Sequence, residues 1–421
     1  MNPAAADALP TLDLVTDTVA FEALRDDWQR LFESTREPHV FRSFGWCWNA
    51  WRLVAEPRGY ALRLVTGRID GALVLAWPMM EKDHVLRMVS AGILEYRDLL
   101  VRDSPMSERW IDQTWQFVLE SVRPDVVMFQ NLRLPNFVAA WIASQRGARA
   151  IGGGWCPIIR LDRFDSWDAY ARTLPRSLAS DQRRQWKRVR HALPGLAFRV
   201  VDSPADVEPV VDWITRHKIT WAKQRQRIVW HESDAVSTLL KQVALDNLAA
   251  KRLVLAMLAD GDTTISAGFG YVYGDEFHFH AFAYDEAYAT YSPSRLFLEC
   301  IVRRCIERGV RAFDFMPGDE SYKRVWATDY VRTASYIAPG TLRGAVYLAV
   351  SAFATRLRRS DRGPDRGLGR LTKLIPPQIR GSLHRLFGRA PLLNELALVR
   401  HALELKRAPD DPLRAAAAES D

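Results

Sequence analysis

At 421 residues, 48% of them hydrophobic and 11% aromatic, the chain can bury two sizeable cores and lies far from the composition of a disordered segment. Its net charge of +8 is uneven: residues 341–421 hold 15 Lys and Arg against 8 Asp and Glu, a net +7, which leaves +1 for residues 1–340. A near-neutral body without a nucleic-acid-binding motif argues against a nucleic-acid partner, and four cysteines with no CxxC pair suggest neither a zinc site nor a disulfide framework. The first ten residues lack a basic, apolar leader pattern, and no apolar run approaches the ~18 residues that cross a bilayer. A cytoplasmic protein with reduced thiols is expected.

In chain order, a short strand is predicted at 12–15, then an amphipathic helix through Phe21, Leu24, Trp28, Leu31 and Phe32, spaced three and four apart. Phe41-Arg42-Ser43-Phe44 precedes a helix carrying Trp46, Trp48 and Trp51. Strands at 61–66 and 71–79 flank an Ile69-Asp70-Gly71 turn, and strand-like pieces follow at 85–89 and 96–101. A helix over 106–122 stops before Pro124, a buried-type strand covers 125–129, and a short helix covers 135–145. Gly152-Gly153-Gly154 reads as a flexible turn. The second half opens with a basic helix at 176–192 and a strand at 197–201, then long helices at 205–221 and 233–250. A meander at 253–259, 264–272 and 276–284 turns at Asp260-Gly261-Asp262 and Tyr273-Gly274-Asp275. A helix from Pro293 to Arg308 ends at Gly309, and strands at 311–316 and 331–337 close the body.

The halves share a meander, strand, helix, strand rhythm without a residue-level repeat, an α+β pattern that suggests duplicated domains at 1–160 and 161–340. Residues 341–421 read as a basic helical extension, either a cap on the second domain or, through 344–357 and the arginines after it, a contact with an anionic membrane surface.

The most informative stretch runs from Tyr284-Asp285 through Tyr291-Ser292-Pro293-Ser294-Arg295 to Phe313-Asp314-Phe315 and Gly318-Asp319-Glu320-Ser321-Tyr322-Lys323. It reads as strand, polar loop, helix start, strand and ionisable loop. A helix start beside a strand end offers free amides and a positive dipole end to a phosphate. Together with Phe41-Arg42-Ser43-Phe44-Gly45-Trp46, Tyr96-Arg97-Asp98 and the basic Arg183-Arg184-Gln185-Trp186-Lys187-Arg188, these motifs resemble the CelD/BcsL-type branch of the GNAT acetyltransferases, relatives of the Fem aminoacyltransferases. The resemblance covers roughly residues 12–338. It implies tandem GNAT-like domains, each a mixed, mostly antiparallel sheet flanked by helices. It also implies acetyl-CoA or a longer acyl-CoA as co-substrate, bound mainly by the second domain, and N-acyl transfer to a small-molecule or glycan amine. An amino sugar of polysaccharide or envelope biosynthesis is one such acceptor. Ser294 and Arg295 stand where the family has Gly, and its Arg/Gln-x-x-Gly-x-Gly/Ala loop is absent. Two alternatives stay open: a Fem-like aminoacyl-tRNA-dependent transferase, poorly served by a body of charge +1, and a non-catalytic accessory protein.

Transfer to an amine needs a base, an oxyanion donor and a grip on the donor's phosphates. Donor-binding candidates are Tyr284, Ser292, Pro293, Ser294 and Arg295; Ser292 and Pro293 also suit an ordinary helix cap. Catalytic candidates are Asp314 or Asp319 as base, Tyr322 as proton donor to the thiolate, Lys323 for a phosphate or the thioester oxygen, and His280 as a further base. Each has a structural alternative: Asp314 as a buried acceptor, Lys323 as an ion-pair partner, Tyr322 as a packing ring, and His280 as a cleft wall. No metal is expected.

Overall fold

The computed structural model describes residues 8–360 apart from Arg36, Leu94, residues 226–233 and Asp319. The fold is α+β, and both halves contain the same unit. In the first, the Val85–Met88 strand lies parallel to Val126–Arg133, with the Ser107–Ser121 helix between them in sequence. In the second, Leu196–Val201, Leu253–Asp260, Thr263–Tyr273 and Glu276–Tyr284 form an antiparallel meander. Its last strand lies parallel to Ala312–Asp314 across the Pro293–Glu307 helix. Parallel neighbours require such a crossover.

The halves exchange their closing strands. Arg149–Arg160 leaves the first half to pair antiparallel with Ala312–Asp314, and Asp329–Pro339 leaves the second to pair antiparallel with Val126–Arg133. The exchanged strands also pair with each other, so eleven of the described strands make one continuous sheet. A separate four-stranded sheet packs Thr11–Val15, Leu64–Ile69, Ala72–Trp77 and Leu100–Val101.

Three elements depart from the sequence reading. Gly152, Gly153 and Gly154 lie inside the Arg149–Arg160 strand and make no turn. A Cβ on Gly153 would overlap the Thr333 carbonyl, so glycine is there for a close backbone approach. The predicted strand at 96–101 is reduced to Leu100–Val101, because Tyr96 and Asp98 turn inward to bond Asp314 and Asn136. Residues 321–323, read as the end of an ionisable loop, open the Ser321–Trp326 helix, which puts Tyr322 and Lys323 on a rigid element. The remaining long helices match closely, at Arg176–Ala192, Pro204–Gln224, Asp234–Ala249 and Pro293–Glu307.

One core is common to both halves: Phe21, Trp28, Trp46 and Trp51 pack with Val236, Leu240, Phe269 and Tyr271. A second surrounds Trp77, Trp115, Phe129 and Trp141, and a third Phe277, Phe297, Phe313 and Trp326. The first core also takes in Ala281 and Ala283, so helices of the N-terminal half pack on the central Glu276–Tyr284 strand, where the candidate site lies.

Candidate functional site

The Glu276–Tyr284 strand pairs with Ala312–Asp314 only through Glu276, Phe277 and His278. Beyond that the two strands part: the Phe315 amide donates to the Pro157 carbonyl at 3.1 Å and stays with the exchanged strand. From Phe279 to Tyr284 the edge facing the gap has no strand partner among the described residues. The opposite edge carries a bulge: Gly270 faces Phe279 and Phe269 faces Ala281, so His280 is the unpaired extra residue. Gly270 permits this, since a Cβ there would overlap the His278 carbonyl and the Phe277 ring. The His280 ring sits among Phe41, Trp46, Phe269 and Tyr271, with centroids 5.4–5.9 Å away. Both of its nitrogens lack a partner among the described residues. Burial, reinforced by the nearby Lys218 charge, pushes its pKa down to about 3, so it is neutral at pH 7.

At the far end of the gap, the Asp285 carboxylate accepts from the Ala287 amide at 2.9 Å and caps a short turn, Glu286–Tyr291. Ser292 then takes a left-handed conformation, φ 53°, without a side-chain cap bond, and Pro293 opens the helix as a buried first residue. The Arg295 and Leu296 amides already donate to the Ser292 carbonyl, at 3.0 and 3.3 Å. The helix start therefore offers fewer free amides than an open first turn. Cations gather around it. Arg295 is exposed and pairs with Asp181 at 2.9 Å, while Arg188 donates to the Thr290 carbonyl at 3.3 Å. Arg183, Arg184, Lys187, Arg188 and Arg190 all lie on the exposed face of the Arg176–Ala192 helix, whose other face is buried through Gln182, Gln185 and Val189. Ser294 is half-buried at the helix start. Tyr284 lines a cavity of about 570 Å³ with Trp213, His217, Thr220 and Glu286.

Across the gap, Asp314 is fully buried. It accepts from the Tyr96 hydroxyl and the Met316 amide, both at 2.7 Å, and lies 3.6 Å from the Arg133 guanidinium. Asp319 lies outside the described residues. Lys323 is buried and pairs with Glu320 at 2.8 Å; burial opposes its charge, but Glu320 more than compensates and raises its pKa. Lys218 approaches the same pair, and burial together with the Lys323 charge pushes it down to about 8. Tyr322 is half-exposed beside them.

A polar cavity of about 470 Å³ opens where the halves meet, lined by Arg42, Tyr96, Arg133, Glu276 and His278 among others. Glu276 bonds Arg133 at 2.5 Å and lies 3.6 Å from His278 Nε2. Burial, and then the Asp314 charge, push Glu276 up to about 7. Burial pushes His278 down to about 4 against the pull of Asp314. Ligand atoms of Glu276, His278 and Asp314 lie within 4.8 Å of one another. The Arg133 guanidinium already supplies positive charge to both carboxylates there.

The structure thus gathers Asp314, Lys323, Tyr322 and His280 around the parted strands, with Tyr284, Ser292, Pro293, Ser294 and Arg295 at the far mouth. Sequence reasoning passed over Glu276, although Glu276, His278 and His280 alternate along one strand, a legible period-two signal. Tyr96 stands in the Tyr96-Arg97-Asp98 motif without an assigned role, while Arg133 and Lys218 arrive from distant segments and carry no such signal.

Residues 176–324 match the family model described as an acetyltransferase (GNAT) domain. No curated protein sequence matches the chain. Among solved structures, FemX superposes with a TM-score of 0.52 at 9% identity, covering 77% of this chain and 98% of that one. L-PGS from Bacillus licheniformis gives 0.51 at 12% identity, covering 79% and 96%. The C-terminal domain of a putative lysylphosphatidylglycerol synthetase from Agrobacterium fabrum gives 0.51 at 13%, covering 80% and 96%. At such identities the likeness is one of fold. The chain is therefore similar in architecture to FemX and L-PGS, and the part of it that holds the parted strands matches the GNAT acetyltransferase domain.

Proposed function

We propose that the protein is an acyl-CoA-dependent N-acyltransferase, and that the parting of Glu276–Tyr284 from Ala312–Asp314 is its donor site. The observation that carries this reading is the unpartnered strand edge from Phe279 to Tyr284 next to the bulge at His280. Such an edge can pair with the amides of an extended pantetheine arm as an added strand would. Arg295, Arg188 and the basic face of the Arg176–Ala192 helix then lie near the mouth, where the donor's phosphates would emerge. In this scheme the thioester oxygen takes its hydrogen bond from a backbone amide of the free Phe279–Tyr284 edge, beside the bulge at His280.

The amine enters through the cavity at His278 and Glu276, which lie about 7 and about 13 Å along the strand from the bulge. Its nitrogen attacks the thioester carbon, and the carbon–sulfur bond breaks. His278, neutral at pH 7, relays the amine proton to Glu276, whose raised pKa suits it to receive one. Asp314, enclosed by Tyr96 and the Met316 amide, acts in this scheme by holding Arg133 and raising Glu276. Lys323 and Lys218 face the departing thiolate, and Tyr322 remains a candidate to protonate it.

The likeness to FemX keeps a second reading in view, transfer from an aminoacyl-tRNA. The charge of only +1 on residues 1–340 speaks against a tRNA surface. Thermal-shift measurements with acetyl-CoA, longer acyl-CoAs and free CoA separate the two. Stabilisation of about 2.7 kcal/mol is expected at a hundred times the dissociation constant. No shift at millimolar CoA would overturn the acyl-CoA reading.

A further inference from the structure

Four arginines line the 470 Å³ cavity, and three have acidic partners. Arg133 is held by Glu276 and Asp314, Arg160 by Asp162 at 2.7 Å, and Arg311 lies 3.6 Å from Asp162 and 3.7 Å from Asp275. Arg42 differs. It is 8% exposed, yet among the described residues no carboxylate comes within 4.0 Å of it. Its one side-chain hydrogen bond runs to the Glu37 carbonyl at 3.0 Å, and its Nε has no partner. Asp98, on the same wall, feels the Arg42 charge without forming an ion pair: burial raises its pKa, Arg42 offsets part of that, and its two oxygens are engaged by the Leu99 amide and the Asn136 side chain. A buried guanidinium without a contact ion pair is costly to maintain, and its planar fork matches a carboxylate or phosphate.

We propose that Arg42 binds an anionic group of the acceptor, so that the substrate is a small amine that also carries a carboxylate or a phosphate. The proposal rests on the amine-acceptor reading above and narrows it. Arg42, on the Val40–Arg42 turn, and the Glu276–His278 pair, on the central strand, come from different halves and line one cavity. The acid anchors at the first and the amine points toward the second. An amino acid and an amino-sugar phosphate share this chemistry, and the geometry favours the class over neutral amines.

The test compares matched amines as acceptors, following thiol release from acetyl-CoA with the unmodified protein: glucosamine 6-phosphate against glucosamine, and γ-aminobutyrate against butylamine. Within the preferred pair, the anionic member is expected to have the higher kcat/KM by about 10- to 100-fold, the range of a hydrogen-bonded charge contact. Which pair responds tells phosphate from carboxylate. Arg42→Gln is expected to raise KM for the anionic acceptor by a similar factor with little change in kcat, and Arg42→Lys to recover part of the loss. The thermal shift with free CoA should stay unchanged in both variants. If CoA binds but neutral amines match or exceed their anionic partners, the proposal is overturned while the donor reading stands. If CoA produces no shift, the donor reading itself has failed.

Discussion

Glu276 shows how a single side chain acquires a property its neighbours in sequence do not announce. Its carboxyl is half-buried at the floor of the cavity, bonded to Arg133 and close to the fully buried Asp314. Burial and the second negative charge both disfavour its ionised form, and Arg133 offsets only part of that. A base must be ionised to act, so activity is expected to rise with pH through about 7 and to level off above it. Glu276→Gln should lower kcat/KM by ~10²–10⁴-fold and abolish that limb, while the CoA thermal shift persists. A pH–rate profile of both proteins checks this. An unchanged profile in the variant would move the base elsewhere.

At the scale of elements, the exchanged strands depend on close backbone contact. Gly153→Ala would drive a methyl into the Thr333 carbonyl and part Arg149–Arg160 from Asp329–Pro339. A loss of about 3 kcal/mol is expected in urea denaturation, the scale of a steric insertion with nowhere to relax. The Leu342–Ser360 helix makes a different case. Tyr347 and Leu348 bury against Val85, Val126, Met128 and Ile337, so the helix caps the sheet where first-half strands meet Asp329–Pro339. Leu342, Val346 and Val350, four apart, stay exposed, and the sequence beyond carries Arg356, Arg358 and Arg359. Of the described helices, none is long and apolar enough to cross a membrane. We propose surface contact instead: the full chain should co-sediment with anionic vesicles more than a chain ending at residue 340. Equal sedimentation would leave the helix as a cap alone.

For the whole molecule, the consequence of strand exchange and of a common core is mutual dependence. Residues 1–160 expressed alone would present Arg149–Arg160 without Ala312–Asp314 or Asp329–Pro339, and Val126–Arg133 without Asp329–Pro339. Unpaired strand edges of this kind associate. The fragment is expected to aggregate or remain unfolded, whereas the full chain should unfold in one concerted transition by circular dichroism and Trp fluorescence. Two separated transitions, or a well-folded monomeric fragment, would contradict this.

What the sequence determined by itself was the local grammar: helix lengths from apolar spacing, the meander from its Asp-Gly and Gly-Asp turns, and the Pro293 helix with its neighbouring strands. These signals lie within a few residues of one another, so periodicity and capping can carry them. The tertiary structure alone decided that Gly152–Gly154 is strand, that the closing strands change places, and that Arg42, Tyr96 and Arg133 meet Glu276 across the boundary of the halves. Those outcomes depend on packing between segments more than a hundred residues apart. Burial and charge act there through distance in space, which spacing along the chain does not encode.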